Sequence, residues 1–195
     1  MRCDLTLKMD LLGEKEAQEL FLHEVRHDDD PSRVHLKQKQ KIQQIAVQVA
    51  NQCAKMPLAI IFVARSMAGI KDLREWRNRL NELKGDIAGI HDDEAKILEQ
   101  LKFGFMCLED SIVQLCFLAA ASLLADDRQV YKTEIIQNWK ERGLVGFDRQ
   151  CEFADDKGHV ILNQLERMCL LQVAPDQQIV TMNKWIWKMA KKVNC

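Results

Sequence analysis

The residues able to do chemistry are few and scattered. His23 and His27 stand four apart, a spacing that puts two imidazoles on one helical face as in a metal site, with Asp28 to Asp30 just beyond. The same spacing fits a solvated helix end, where histidine complements the helix dipole, and the surrounding charges favour that reading. Asp155, Asp156 and His159 resemble an acid–base cluster. With no nucleophile to activate, two carboxylates here read as the first turn of a helix, where negative charge is favourable. Seven cysteines (Cys3, Cys53, Cys107, Cys116, Cys151, Cys169 and Cys195) are odd in number, and no two form a C-x-x-C pair. Several fall in apolar helical patterns, where a thiol acts as a small hydrophobe. The pattern points to a reducing, cytoplasmic compartment, with neither a disulfide framework nor a zinc site. No GxxxxGK[ST] phosphate loop and no GxGxxG fingerprint occur; Gly143 and Gly146 are too close together and lack the lysine. No catalytic constellation emerges, and the expectation is a protein that is not an enzyme.

The composition suits helices. The chain has 195 residues, 47% hydrophobic and 29% charged, with only 8 Gly and 3 Pro. So few breakers leave little room for a turn-rich sandwich or barrel. The formal net charge is −1, without the basic excess of a dedicated nucleic-acid binder. The longest apolar runs, Met56 to Ala64 and Leu115 to Ala125, fall short of the roughly 18 residues that span a bilayer. No secretory signal opens the chain, since Arg2, Asp4, Lys8 and Asp10 interrupt any apolar region.

Two halves follow from periodicity, joined near residues 85–95. The first reads as four helices. Gly13 caps one bearing Ala17, Leu20, Phe21 and Val25; a charged loop around Asp28 to Pro31 leads to a second with Ile42, Ile45, Ala46, Val49, Ala50 and Cys53. Pro57 suits the first position of a third, apolar nearly all round and therefore central, which Gly69 ends. A fourth carries Leu73, Trp76, Leu80 and Leu83, with Gly85 as its stop. Short connections make these a four-helix bundle.

The second half begins with a helix capped by Asp92 or Asp93 and bearing Ile97, Leu98, Leu101 and Phe105. The next starts near Asp110, with Ile112, Leu115, Cys116 and Ala119 inward. A shorter one runs from Thr133, through Ile135, Ile136 and Trp139, to Gly143. Another spans about Phe153 to Cys169, presenting Val160, Ile161, Leu165 and Met168. Leu170 to Val173 and Ile179 to Met182 flank Pro175-Asp176 as a hairpin, and a final helix turns Ile186, Met189, Ala190 and Val193 to one side. Helices followed by a small hairpin outline a winged helix. The fold expected is mainly α, a four-helix bundle followed by a winged-helix subdomain with a small β-hairpin.

Winged helices often bind DNA. The helix that would enter the groove carries Asp155, Asp156 and Glu166 against Lys157 and Arg167, which repels phosphate. The stripe Lys184, Lys188, Lys191 and Lys192 reads as the solvated face of an amphipathic helix, so nucleic acid is not an expected partner.

A family resemblance is carried by an ordered series of motifs. Cys53-Ala54-Lys55-Met56-Pro57-Leu58-Ala59 resembles the Cys-x-Gly-Leu-Pro-Leu-Ala motif of plant NB-ARC proteins, the nucleotide-binding, leucine-rich-repeat disease-resistance receptors of the coiled-coil type. Glu16-Ala17 with Leu20-Phe21, then Glu75-Trp76, Cys116-Phe117-Leu118, and Glu134-Ile135-Ile136 with Trp139 and Gly143 resemble further family segments in order. Met182-Asn183-Lys184 stands where the family has Met-His-Asp. The resemblance covers nearly all of residues 12–193.

The resemblance implies the second and third parts of a three-part ADP/ATP switch. Residues 1–12 would be the end of the nucleotide-binding subdomain, 13–90 the four-helix subdomain and 91–195 the winged helix. Pro57 matches the proline beside the adenine ring, flanked by Met56 and Leu58. Asn183 matches the histidine at the ADP β-phosphate; a helix N-cap is its other role and the one favoured by residue type. Lys55 replaces a glycine, so a positive φ there would be costly. Lys184 replaces an acid. The P-loop, metal-binding acidic strand and sensor arginine are missing from the sequence, so this chain alone is expected to bind neither ADP nor ATP. Expected partners are a full-length receptor, its nucleotide-binding subdomain or a chaperone. A stand-alone interaction module is the alternative, with an apolar bundle face around Ile61 and Phe62 left partly uncovered.

Overall fold

The computed structural model describes residues 11–25, 36–53, 55–125, 129–146, 153–174 and 178–194. The expectations placed on Asp28 to Pro31, on His27 and on the Pro175-Asp176 turn, and nearly all of that for residues 1–12, lie outside them.

Among the described residues the chain forms nine helices and three short strands. Helix α1 (Glu14–Val25) buries Ala17 and Phe21 and packs on both α2 (Leu36–Gln52) and α3 (Pro57–Ser66). In α2 the inward positions are Ile45, Ala46, Val49 and Ala50, the three- and four-residue steps of an amphipathic helix. Helix α3 starts because Pro57 at its first position gives up an N–H that has no partner there. It buries Ala59, Ile60, Phe62, Val63 and Ala64. Helix α4 (Leu73–Ile87) is capped by Asp72, whose side chain accepts from the Arg74 N–H at 2.7 Å. The Trp76 indole N–H donates to the Ile70 carbonyl and so ties the helix start to its preceding loop. Gly85 does not stop this helix as its sequence position suggested. The apolar period continues to the buried Ile87, and the turn falls at Gly89, whose φ of 74° is the left-handed conformation that ends helices.

Helix α5 (Asp93–Met106), capped by Asp92, packs on α3, α4 and α9 (Lys184–Val193). Its two faces serve two cores. Phe103 and Cys107 join Phe21, Val49, Ile60, Trp76 and Leu83 of the first four helices. Ile97, Leu101 and Phe105 join a second cluster built from the later elements together with Ala59 and Phe62 of α3. Of the face expected to be partly uncovered, Phe62 is therefore covered, whereas Ile61 is half-buried. Phe62 lies against α5 at Gly104, where an added Cβ would sit 3.0 Å from its ring.

The second core is lined by α6 (Ser111–Leu123), α7 (Lys132–Glu141), α8 (Ala154–Arg167) and α9. Asp110 caps α6 through the Ile112 N–H at 2.8 Å. Two positions expected inward, Leu115 and Val160, are 48% and 59% exposed; Val113, Phe117 and Leu162 face the core instead. Helix α7 begins at Lys132, one residue before Thr133, and the Glu134 carboxylate reaches back to the Tyr131 N–H. The Trp139 indole N–H donates to the Cys116 carbonyl at 2.8 Å, joining α7 to α6 inside the core.

Strands β2 (Gln172–Val173) and β3 (Ile179–Thr181) pair antiparallel, as the hairpin pattern predicted. A third strand, β1 (Val130–Tyr131), carried no sequence signal because two residues give no alternation. It pairs antiparallel on the far side of β3, with Val130 opposite Val180, so the order is β1-β3-β2. Both valines are fully buried and seal the sheet onto the helices.

Candidate functional site

Met56, Pro57 and Leu58 form the entry to α3. Met56 is extended at the N-cap, Pro57 is exposed, and Met56 and Leu58 are half-buried against the second core. The residue just before them, Lys55, has φ 57°, the left-handed conformation that the glycine in the resembling motif would adopt freely. Its carbonyl accepts from the Leu12 N–H at 3.1 Å, fixing the approach to α1 onto this turn.

Asn183 is the N-cap of α9, and its Oδ1 accepts from the Trp185 N–H at 2.9 Å. That is the capping role, and it occupies the side-chain oxygen. Met182 and Trp185 beside it pack against the same apolar cluster as Met56 and Leu58. Both segments thus border one core, with α5 packed against α3 and against α9. Lys184 is exposed at the first position of α9, where positive charge opposes the helix dipole.

Sequence reasoning missed the charged junction at Arg65, because its partners are 41 and 102 residues away. Its Nε donates to Glu24 Oε2 at 2.6 Å, and its Nη1 donates to the Arg167 carbonyl at 2.6 Å and lies 3.0 Å from Cys169 Sγ. One guanidinium thus joins α1, α3 and the end of α8. Burial pushes the Glu24 carboxyl up, but hydrogen bonds and charge from Arg65 and His23 outweigh it and hold the carboxyl below its ordinary value. Cys169 has φ 58°, a left-handed turn that reverses the chain toward β2.

Two of the four lysines in the basic stripe of α9 are ion-paired within the fold. Lys188 Nζ lies 3.1 Å from Glu94, and Lys192 pairs with Glu99, both on α5. On α8, Asp155 pairs with Lys140 at 2.8 Å. Burial pushes the thiols of Cys53 and Cys116 up to about 12 and that of Cys107 up to about 11, so they are neutral packing groups at physiological pH. Among the described residues no three His, Cys, Asp or Glu side chains cluster as metal ligands would. No described helix is long and apolar enough to cross a membrane.

No family model matches the sequence. The probable disease resistance protein At1g15890 of Arabidopsis thaliana is 33% identical over 190 residues, 97% of this chain. Disease resistance protein At4g27190 of the same plant is 30% identical over 94% of the chain, and probable disease resistance protein At5g43730 is 30% identical over all of it. Along nearly its whole length the chain is similar to plant disease resistance proteins. It spans about a fifth of the length of these relatives, between 18% and 22%. Within the region of similarity, the Arg65 junction and the Met56–Leu58 entry both fall on the central helix α3.

Proposed function

We propose that this chain forms the four-helix and winged-helix regulatory units of an NB-ARC plant immune receptor. In that reading it responds to a nucleotide held chiefly by another part of the receptor and performs no catalysis itself. The observation that carries the reading is similarity along nearly the whole chain to disease resistance proteins, together with a three-stranded sheet that closes the C-terminal half. A β1 strand between helices and a β2–β3 hairpin before the last helix is the arrangement a winged helix requires.

The fit to ADP is partial. Met56, exposed Pro57 and Leu58 offer an apolar strip on which an adenine ring could rest. At the other segment, Asn183 Oδ1 is committed to the Trp185 N–H, which leaves only its uncharged amide NH2 to face a phosphate. The sequence has no glycine-rich loop to cradle phosphates. These residues offer a nucleotide an apolar cover and its phosphates only the Asn183 amide and the neighbouring Lys184, without a cradle of backbone N–H groups. The partner in this reading is the nucleotide-binding subdomain of a receptor, in the cytoplasm. DNA is disfavoured by the paired lysines of α9 and the acidic start of α8.

Titration calorimetry of the purified chain with ADP tests the reading. No saturable heat is expected up to about millimolar ADP, a standard free energy weaker than roughly −4 kcal/mol. Micromolar ADP binding by the chain alone would overturn it.

A further inference from the structure

The chain separates its charges along the sequence. Its net charge is −1, yet no Asp or Glu occurs from residue 31 to residue 71, a stretch with Lys39, Lys41, Lys55, Arg65 and Lys71 among its described basic residues. Helix α2 lies in that stretch and contains no acidic residue. It packs against α4, and between them runs a groove of about 350 Å³ lined by Lys41, Gln44, Ile45, Gln48, Arg77 and Leu80.

The groove has three kinds of wall. Ile45 and Leu80, both nearly buried, make an apolar floor. Lys41 and Arg77 supply positive charge from the two helices, and neither is ion-paired among the described residues. The acids of α4 do not compensate them. Glu75 and Glu82 interact with Arg79, and helical spacing puts all three on the opposite flank of α4 from Arg77. Gln44 and Gln48, one turn apart on α2, add amides able to donate to and accept from a peptide backbone.

We propose that the α2–α4 groove docks an acidic, partly apolar peptide segment of a partner protein. Carboxylates would meet Lys41 and Arg77, an aliphatic side chain would rest on Ile45 and Leu80, and the backbone would pair with the two glutamines. An apolar floor and paired amides suit a peptide better than nucleic acid, which rewards longer arrays of cations and aromatic stacking surfaces that this groove lacks. The proposal does not depend on the nucleotide reading, since none of the groove residues borders the Met56–Leu58 or Asn183 segments.

Fluorescence anisotropy with a labelled peptide of alternating Glu and Leu tests it, beside a Gln-Leu counterpart and a single-stranded thymidine oligonucleotide. Saturable binding of the acidic peptide below about 1 mM is expected, weakening with salt. Lys41→Glu/Arg77→Glu should weaken it about tenfold or more, whereas Lys184→Glu/Lys191→Glu on α9 should leave it unchanged. In the unaltered protein, the side-chain amide signals of Gln44 and Gln48 should shift on titration, which needs no variant to fold. No saturable binding, equal loss in the α9 variant, unmoved glutamine signals, or tighter binding of the oligonucleotide or of the Gln-Leu peptide would each overturn the proposal.

Discussion

Arg65 on α3 and Glu24 on α1 meet at 2.6 Å, with 32% and 14% of their side chains exposed. The same guanidinium donates to the carbonyl of Arg167, far along the chain at the end of α8. A side chain engaged on both sides has less freedom than an exposed ion pair and loses more when one partner goes.

That pair gives a pH dependence with a definite sign. The Glu24 carboxyl is held below its ordinary value of 4.5, so its contribution to stability is complete above that value and is lost as pH falls through the lowered folded value. The urea midpoint of Glu24→Gln should lie below that of the natural protein at neutral pH, and the two should converge as pH falls through the lowered folded value, below 4.5. A gap that stays constant across this range would show that Glu24 does not titrate against Arg65. Arg65→Ala should cost about 2 kcal/mol at neutral pH, since it abandons a mostly buried carboxylate.

The left-handed turn at Lys55 predicts a gain. A side chain there carries a steric cost of about 1–2 kcal/mol, partly offset by the greater unfolded-state freedom of glycine. Lys55→Gly should raise stability by about 0.5–1 kcal/mol in chemical denaturation, and Lys55→Val should lower it. An unchanged midpoint for both would mean that the turn relaxes to negative φ in solution.

Two helical glycines should respond oppositely to alanine. At Gly158 in α8 an added Cβ would sit 2.7 Å from Ile136 Cγ2 on α7, so Gly158→Ala should destabilise by about 1–3 kcal/mol through overpacking. Gly85 in α4 has nothing within 4 Å of such a Cβ, and Gly85→Ala should stabilise by about 0.5–1 kcal/mol from helix propensity alone. Thermal melts of the two variants, read against the unaltered chain, check both signs.

Helix identity was legible where an amphipathic period ran for three turns or more, as in α2, α4 and α9. Caps were legible too: Asp92, Asp110 and Asn183 stand where residue type placed them. The errors have physical causes. Gly85 looked like a terminator, but a glycine ends a helix only where the chain needs positive φ, and the apolar Ile87 drew one more turn onto the core. Leu115 sits in a helix rich in apolar residues, and Val160 opens the consecutive run Val160-Ile161-Leu162, so residue type alone could not say which of these turns inward. The face around Ile61 and Phe62 was expected to be partly uncovered because the sequence lacks the nucleotide-binding subdomain; Phe62 is instead covered by α5, from beyond residue 90, while Ile61 is half-buried. At the candidate site, the Asn183 cap was readable from its type, whereas the Arg65 junction was not, because its contacts depend on how distant helices dock.

Helix α5 is shared between two cores: Phe103 and Cys107 look one way, Ile97, Leu101 and Phe105 the other. Whoever divides the chain between residues 90 and 91 to study its halves separately would strip a wall from each. The first piece would show bare Trp76 and Leu83 surroundings to water, and the second would lose the Phe62 seat at Gly104. Such halves should be handled as sticky orphans, and the hinge for any large motion sought outside this shared spine.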